Sequence, residues 1–155
     1  GQSVMGDIGG NFNGYMGDMS RVFSIGKLNE KAYTAHQVCL DIQNEVASLA
    51  KPGTVCEDLY NTAIDMVTKA RFAEYFMGIS QQARFIGHGI GLEINEMPVL
   101  APRMKQELEP GMVFALEPKI VLPGIGPVGI ENSWVVTSEG VEKLTICNAE
   151  IIELK

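Results

Sequence analysis

Asn13-Gly14 constrains this chain more than any other pair of residues. Asn-Gly between two runs of strand-forming residues signals a two-residue hairpin turn, because both residues tolerate the positive φ that such a turn requires. Residues 3–9 and 15–25 flank the pair and read as antiparallel strands. With Asn13 and Gly14 as the turn, Phe12 pairs with Tyr15, and counting outward sets Gly9 opposite Asp18. Asp7 lies two residues from Gly9. Side chains alternate along a strand, so Asp7 and Asp18 project to the same face. Like charges held so close repel unless a cation sits between them. The alternative for this pair is two solvated carboxylates on an exposed face, the common state of aspartate.

The rest of the chain alternates helix and strand signals. Residues 29–49 predict a helix with Asn29 as N-cap and Ala35, Val38, Ile42, Val46 and Leu49 on its apolar face. Lys51-Pro52-Gly53 ends it. Thr54 and Glu57 have capping-box spacing and predict a second helix with Leu59, Ala63, Val67 and Ala70 inward. Residues 71–84 read as a helix end and a loop, and residues 98–111, rich in proline, as loop or bulge. Val113–Glu117 and Gly129–Thr137 read as strands separated by the turn Pro123-Gly124-Ile125-Gly126-Pro127, with a last strand through Glu150–Leu154. A hairpin, two helices and then strands predict an α+β fold with an antiparallel sheet.

The second strand region carries a second pair of carboxylates. Glu117 lies in Phe114-Ala115-Leu116-Glu117-Pro118 and Glu131 in Val128-Gly129-Ile130-Glu131-Asn132, both apolar surroundings that predict burial. A buried carboxylate is costly unless it is paired or bound to metal. A salt bridge to Lys119 or Arg103 is the alternative reading here. His88 sits in Gly87-His88-Gly89-Ile90-Gly91, where the glycines allow close approach of backbone and ligand. A lone histidine in an apolar run is more often a core residue than a ligand. His36, beside the first helix's apolar face, reads as structural or surface. Four carboxylates and one imidazole form an oxygen-rich donor set suited to Mn²⁺, Co²⁺, Fe²⁺ or Zn²⁺.

Bulk properties narrow the partners. The 155-residue chain has a net charge of −7, which disfavours nucleic acid and anionic membranes as main partners. Cys39, Cys56 and Cys147 are too few and too widely spaced for a disulfide framework, and predict buried thiols in a reducing cytosol. No apolar run approaches the ~18 residues of a membrane span. A cytoplasmic location is the expectation.

Taken in order, the five residues resemble the metal-binding signature of the pita-bread metallopeptidases, the family of methionine aminopeptidase, aminopeptidase P and prolidase (Xaa-Pro dipeptidase). The matching segments are Asp7-Ile8-Gly9 and Gly14-Tyr15-Met16-Gly17-Asp18-Met19-Ser20-Arg21, then Gly87-His88-Gly89-Ile90-Gly91-Leu92, Leu116-Glu117-Pro118 and Gly129-Ile130-Glu131-Asn132. Each piece alone is weak, whereas the ordered set is specific. The resemblance implies a creatinase/aminopeptidase-like pita-bread fold, a curved antiparallel sheet backed by two helices. It implies two divalent metal ions (Mn, Co, Zn or Fe) held by Asp7, Asp18, His88, Glu117 and Glu131, with Asp18 and Glu131 bridging. Glu117 and His88 are the implied catalytic residues, Glu117 as proton shuttle. The implied activity is a metallo-exopeptidase acting on the N-terminal peptide bond, closer to the Xaa-Pro branch than to methionine aminopeptidase.

The chain also departs from the family pattern. Asn95 stands where members usually carry a second active-site histidine, and is expected to contact substrate by hydrogen bonding alone. Pro127-Val128-Gly129 lacks the arginine that Xaa-Pro peptidases often place before the last glutamate. Same-fold relatives with changed chemistry, and non-catalytic peptide-binding modules, are the alternative functions. The family domain has two pseudo-symmetric halves. Residues 1–155 are expected to be its C-terminal portion, with little activity alone, a peptide as substrate and a homodimer formed through the full-length protein.

Overall fold

A computed structural model describes residues 1–155. It opens with the hairpin, β1 (Ser3–Phe12) and β2 (Tyr15–Ile25). Asn13 and Gly14 form the turn with φ of 52° and 89°. The register is the one counted outward from the turn: Phe12 pairs with Tyr15, Gly9 with Asp18 and Asp7 with Ser20.

Helix α1 (Glu30–Leu49) follows. The Asn29 carboxamide oxygen accepts the Ala32 N–H at 2.9 Å, a cap worth about 1 kcal/mol. Ala35, Ile42 and Val46 are buried as expected, but the stripe is rotated: Ala32, His36, Cys39, Gln43 and Ala47 join it. Val38 is only half-buried and Leu49 is exposed. The cause is the two-stranded ribbon that packs here, close enough for the Cys39 thiol to lie 3.8 Å from the Val128 carbonyl oxygen.

Helix α2 (Cys56–Lys69) starts without the predicted capping box. The Thr54 hydroxyl instead donates to the Leu49 carbonyl, and the Glu57 carboxylate takes the Arg103 N–H (2.7 Å) and the Lys105 ammonium. The N–H groups of Cys56 and Glu57 donate to the carbonyls of Gln106 and Met104 at 2.9 and 3.0 Å. Backbone from a distant loop satisfies the helix start, so no side-chain cap is needed. Leu59, Ala63 and Val67 face inward as predicted, whereas Ala70, past the last helical residue, is only half-buried.

After a 3₁₀ turn at Ala73–Tyr75 the strands follow: β3 (Gly87–Gly89), β4 (Glu96–Leu100), β5 (Val113–Leu116), β6 (Lys119–Leu122), β7 (Gly126–Gly129), β8 (Asn132–Val136), β9 (Val141–Lys143) and β10 (Ile152–Leu154). One sheet has the order β4-β3-β5-β8-β9 and is antiparallel throughout. β10 lies parallel to β2, so antiparallel pairing holds for every other strand pair. Three expectations are corrected. The stretch read as loop from Pro98 begins as strand β4. The single strand read over Gly129–Thr137 is two strands, β7 and β8. The Pro123–Pro127 turn does not simply join β5 to β8; it tips a second hairpin, β6-β7. Ile120, Leu122 and Val128 of that hairpin are buried, and α1 packs on it while α2 packs on α1 and β4. One core of 27 buried residues runs between helices and strands. Cys39 and Cys56 are buried free thiols, but Cys147 is exposed, because it lies in the irregular segment after β9.

Candidate metal centre

The interruption between β7 and β8 creates the site. The β5-β8 ladder ends at the pair Leu116 and Asn132, so Glu117 and Glu131 leave it side by side. Gln43 of α1 clamps this exit: its amide donates to the Leu116 carbonyl at 2.8 Å and its oxygen accepts from the Asn132 amide at 2.7 Å. A backbone bridge between Ser20 and Glu131 joins β2 to the same place. The Ser20 hydroxyl donates to Glu131 Oε2 at 2.6 Å, and the Ser133 hydroxyl donates to the Asp18 carbonyl at 2.8 Å.

His88 arrives from β3, between β4 and β5. A Cβ at Gly87 would collide with the Ala115 carbonyl, and one at Gly89 with the Met97 carbonyl, so only glycine lets the neighbouring strands close around the histidine. His88 Nδ1 lies 3.0 Å from the Gly89 carbonyl oxygen, which can only accept. Nδ1 therefore carries the proton in the neutral ring, and Nε2 presents a lone pair. Nε2 faces three carboxylates: Glu117 Oε1 at 3.6 Å, Glu131 Oε1 at 3.9 Å and Asp18 Oδ2 at 4.0 Å.

Asp18, His88, Glu117 and Glu131 are all buried. Ligand atoms of Asp18, His88 and Glu131 lie within 4.8 Å of one another, the convergence a divalent cation needs. Asp18 Oδ1 is buried without any hydrogen-bond partner. A buried acceptor left unpaired is costly, and a bound cation would satisfy it. The donor set fits a metal.

The other expected residues are placed differently. Asp7 sits at the exposed rim, where its negative charge acts on Asp18. Asn95 is exposed in the turn between β3 and β4, and its side chain makes no hydrogen bond. His36 is structural, buried with Nε2 2.8 Å from the Ala149 carbonyl oxygen. Of the two salt bridges considered for Glu117, the Lys119 one forms: Nζ lies 2.5 Å from Glu117 Oε2. The ion pair takes Glu117 Oε2 and leaves Oε1 facing His88, beside the converging trio of Asp18, His88 and Glu131.

Arg21, which the sequence marks only as the end of the Asp18 segment, is fully buried. Its Nε donates to the Asn148 carbonyl at 2.7 Å, and one terminal nitrogen donates to the carbonyls of Ser20 and Glu131, both at 2.8 Å. The other donates to Asn132 Oδ1 at 2.9 Å. Arg21 thus ties the strand of Asp18 to the strand of Glu131. Its sequence signals are its place at the end of the Gly14–Arg21 segment and a charge on the strand face opposite Asp18.

Residues 1–138 match metallopeptidase family M24. The chain belongs to that family. It is 32% identical over 152 residues to the Xaa-Pro dipeptidase of Pyrococcus furiosus, covering 98% of this chain and 42% of that protein. The crystal structure of X-Pro aminopeptidase from Thermotoga maritima superposes with a TM-score of 0.90 at 30% identity, over 98% of this chain and 42% of the other. Methionine aminopeptidase from Rickettsia prowazekii, at 23% identity and a TM-score of 0.75 over 93% of this chain and 64% of the other, shares the fold. The chain therefore has the α+β pita-bread fold and spans about two-fifths of the length of the Xaa-Pro relatives named here.

Burial raises the carboxyl pKa of Asp18 to about 6, reinforced by neighbouring Asp7 and only partly offset by His88. Burial likewise pushes Glu131 up to about 8, against the Ser20 hydrogen bond and with Glu117 and Asp18 adding to the rise. Lys119 loses by burial and gains more from Glu117, Glu131 and Asp7, so its ammonium is held above the usual lysine value. A carboxyl whose pKa is raised by folding favours the fold when protonated. That contribution is full below the unfolded value and is lost as pH rises through the folded value. His36 is shifted down by burial and works the opposite way, in a range that ends near the ordinary histidine value. Metal-free protein is therefore expected to lose melting temperature between pH ~6.5 and ~8, and Mn²⁺ to flatten that slope. Thermal melts with EDTA or Mn²⁺ measure it; an EDTA slope unchanged in Glu131→Gln would contradict the assignment.

Proposed function

We propose that this M24 protein is a divalent-metal-dependent exopeptidase that hydrolyses the N-terminal peptide bond of Xaa-Pro peptides. The observation that carries this reading is the convergence of His88 Nε2 with the carboxylates of Asp18, Glu117 and Glu131 around an unpartnered Asp18 oxygen. Asp18, His88 and Glu131 would hold the cation, with the carboxylates of Glu117 and Asp7 lying around it. The cation supplies Lewis acidity, polarising the scissile carbonyl and making water a better nucleophile.

The chain's own residues do the rest. Glu117 accepts the proton of the attacking water and delivers it to the leaving amine, so the products are a free amino acid and a shortened peptide. The Gly89 carbonyl keeps His88 in the ligating tautomer, and Ser20 fixes the Glu131 carboxylate. Asn95 lies on the turn after His88 and would offer substrate a hydrogen bond from its amide. Residues 1–155 form the C-terminal portion of the catalytic domain in this reading, and the enzyme works on cytoplasmic peptides as a homodimer.

The Xaa-Pro assignment rests on similarity to Xaa-Pro dipeptidases and to the X-Pro aminopeptidase. Full-length protein with Mn²⁺ or Co²⁺ is expected to cleave an Xaa-Pro dipeptide or tripeptide and to lose activity in EDTA. Cleavage confined to Met-Xaa peptides would refute the specificity, and EDTA-insensitive cleavage the metal dependence.

A further inference from the structure

Lys119 puts a cation among the carboxylates that a second metal ion would need. Its side chain is only about a quarter exposed, and Nζ lies 2.5 Å from Glu117 Oε2. Asp7 and Glu131 also act on its charge. The lysine does not hang from a loop. It opens β6 and pairs with Gly129 of β7. A Cβ at Gly129 would come within 2.5 Å of the Pro118 carbonyl oxygen and 2.8 Å of Cα and Cβ of Lys119, so glycine is what lets β7 lie this close to the start of β6.

The carboxylates divide accordingly. Asp18, His88 and Glu131 converge closely enough to share one ion, whereas Asp7 and Glu117 fall outside that trio. Glu117 turns one oxygen to His88 and gives the other to Lys119. Charge counting agrees. Four carboxylates and one ammonium sum to −3, which one divalent ion brings to −1 and a second would overshoot to +1. A second ion on the Asp7 and Glu117 side must displace the ammonium or sit beside it, and like charges at such separations oppose each other strongly where water is scarce.

We propose that Lys119 is a tethered cation occupying the Asp7 and Glu117 side of the cluster, so that the site takes one divalent ion tightly at Asp18, His88 and Glu131. This rests on the metal reading above and replaces the two-ion expectation with one tight ion. Lys119 would also hold Glu117 in a fixed orientation, one oxygen anchored and the other facing the metal trio.

Mn²⁺ titration of full-length protein by calorimetry, with metal analysis after dialysis, tests the proposal without any activity measurement. The native protein is expected to retain one ion per chain, with a second binding at least about tenfold more weakly. Lys119→Met keeps the stem and removes the charge, and is expected to tighten the second ion by about tenfold or more. Lys119→Arg keeps the charge and is expected to bind like the native protein. Electron paramagnetic resonance adds a second readout: an isolated Mn²⁺ spectrum for native protein and an exchange-coupled pair for Lys119→Met. Two equally tight ions in native protein would overturn the lysine's role and leave the metal site standing. No Mn²⁺ binding in any of the three proteins would overturn the metal site itself and the lysine's role with it. If Lys119→Met is unfolded by circular dichroism, native stoichiometry and its spectrum decide the matter.

Discussion

Glu117→Gln is expected to lower kcat on an Xaa-Pro peptide by about 10²–10⁴-fold while leaving KM and metal content nearly unchanged. Glutamine keeps the shape of the side chain but cannot accept and release a proton at the pH of the reaction. Glu117 is the suited residue because its Oε1 faces the histidine while its Oε2 is anchored by Lys119. Glu131 is tied through Ser20, and Asp18 lies with Glu131 and His88 in the trio that would hold the ion. Steady-state kinetics with metal analysis on the same samples checks the prediction. A Glu117→Gln enzyme turning over at the native rate would remove Glu117 from the chemistry, and a variant that loses its metal would make it a ligand first.

Arg21→Met is expected to cost about 3–5 kcal/mol of stability. The substitution roughly keeps volume but leaves the buried carbonyls of Glu131 and Ser20 and Asn132 Oδ1, and the half-buried Asn148 carbonyl, without their donor. Urea denaturation with an unchanged slope would register it as a lower midpoint. Arg21→Lys should recover only part, since an ammonium lacks the planar fork that reaches several acceptors at once. A loss under about 1 kcal/mol would mean that water replaces the guanidinium there.

The two halves of the site were legible to different degrees, and the difference is one of range. Asp7 and Asp18 lie in one hairpin, where turn chemistry fixes register and register fixes the face. Counting from Asn13-Gly14 was enough. The burial of Glu117 and Glu131 also follows from their apolar surroundings, but the route between them does not, because β6-β7 gains its strand character from packing against α1. Thr54 and Glu57 show the opposite failure. Their spacing satisfied a local rule, yet backbone from residues 104–106 took over the helix start and freed Glu57 for Arg103 and Lys105. In the sequence Lys119 offers only an alternative to metal for Glu117 and Glu131. The structure supplies that ion pair together with the converging metal donors, an outcome that spacing along one strand does not reveal.

From sequence alone followed whatever depends on neighbours along the chain: the hairpin register, the Asn29 cap, the inward residues of α2 and the ordered set of ligand residues that resembles one family. Tertiary structure alone decided which of those residues meet. Ser20 and Arg21 reach Glu131 across 111 and 110 positions, and Gln43 reaches Asn132 across 89. Such contacts exist only after helices and sheets have closed on a common core, because the cost of bringing distant segments together is met by burial of the whole core and not by any local pattern.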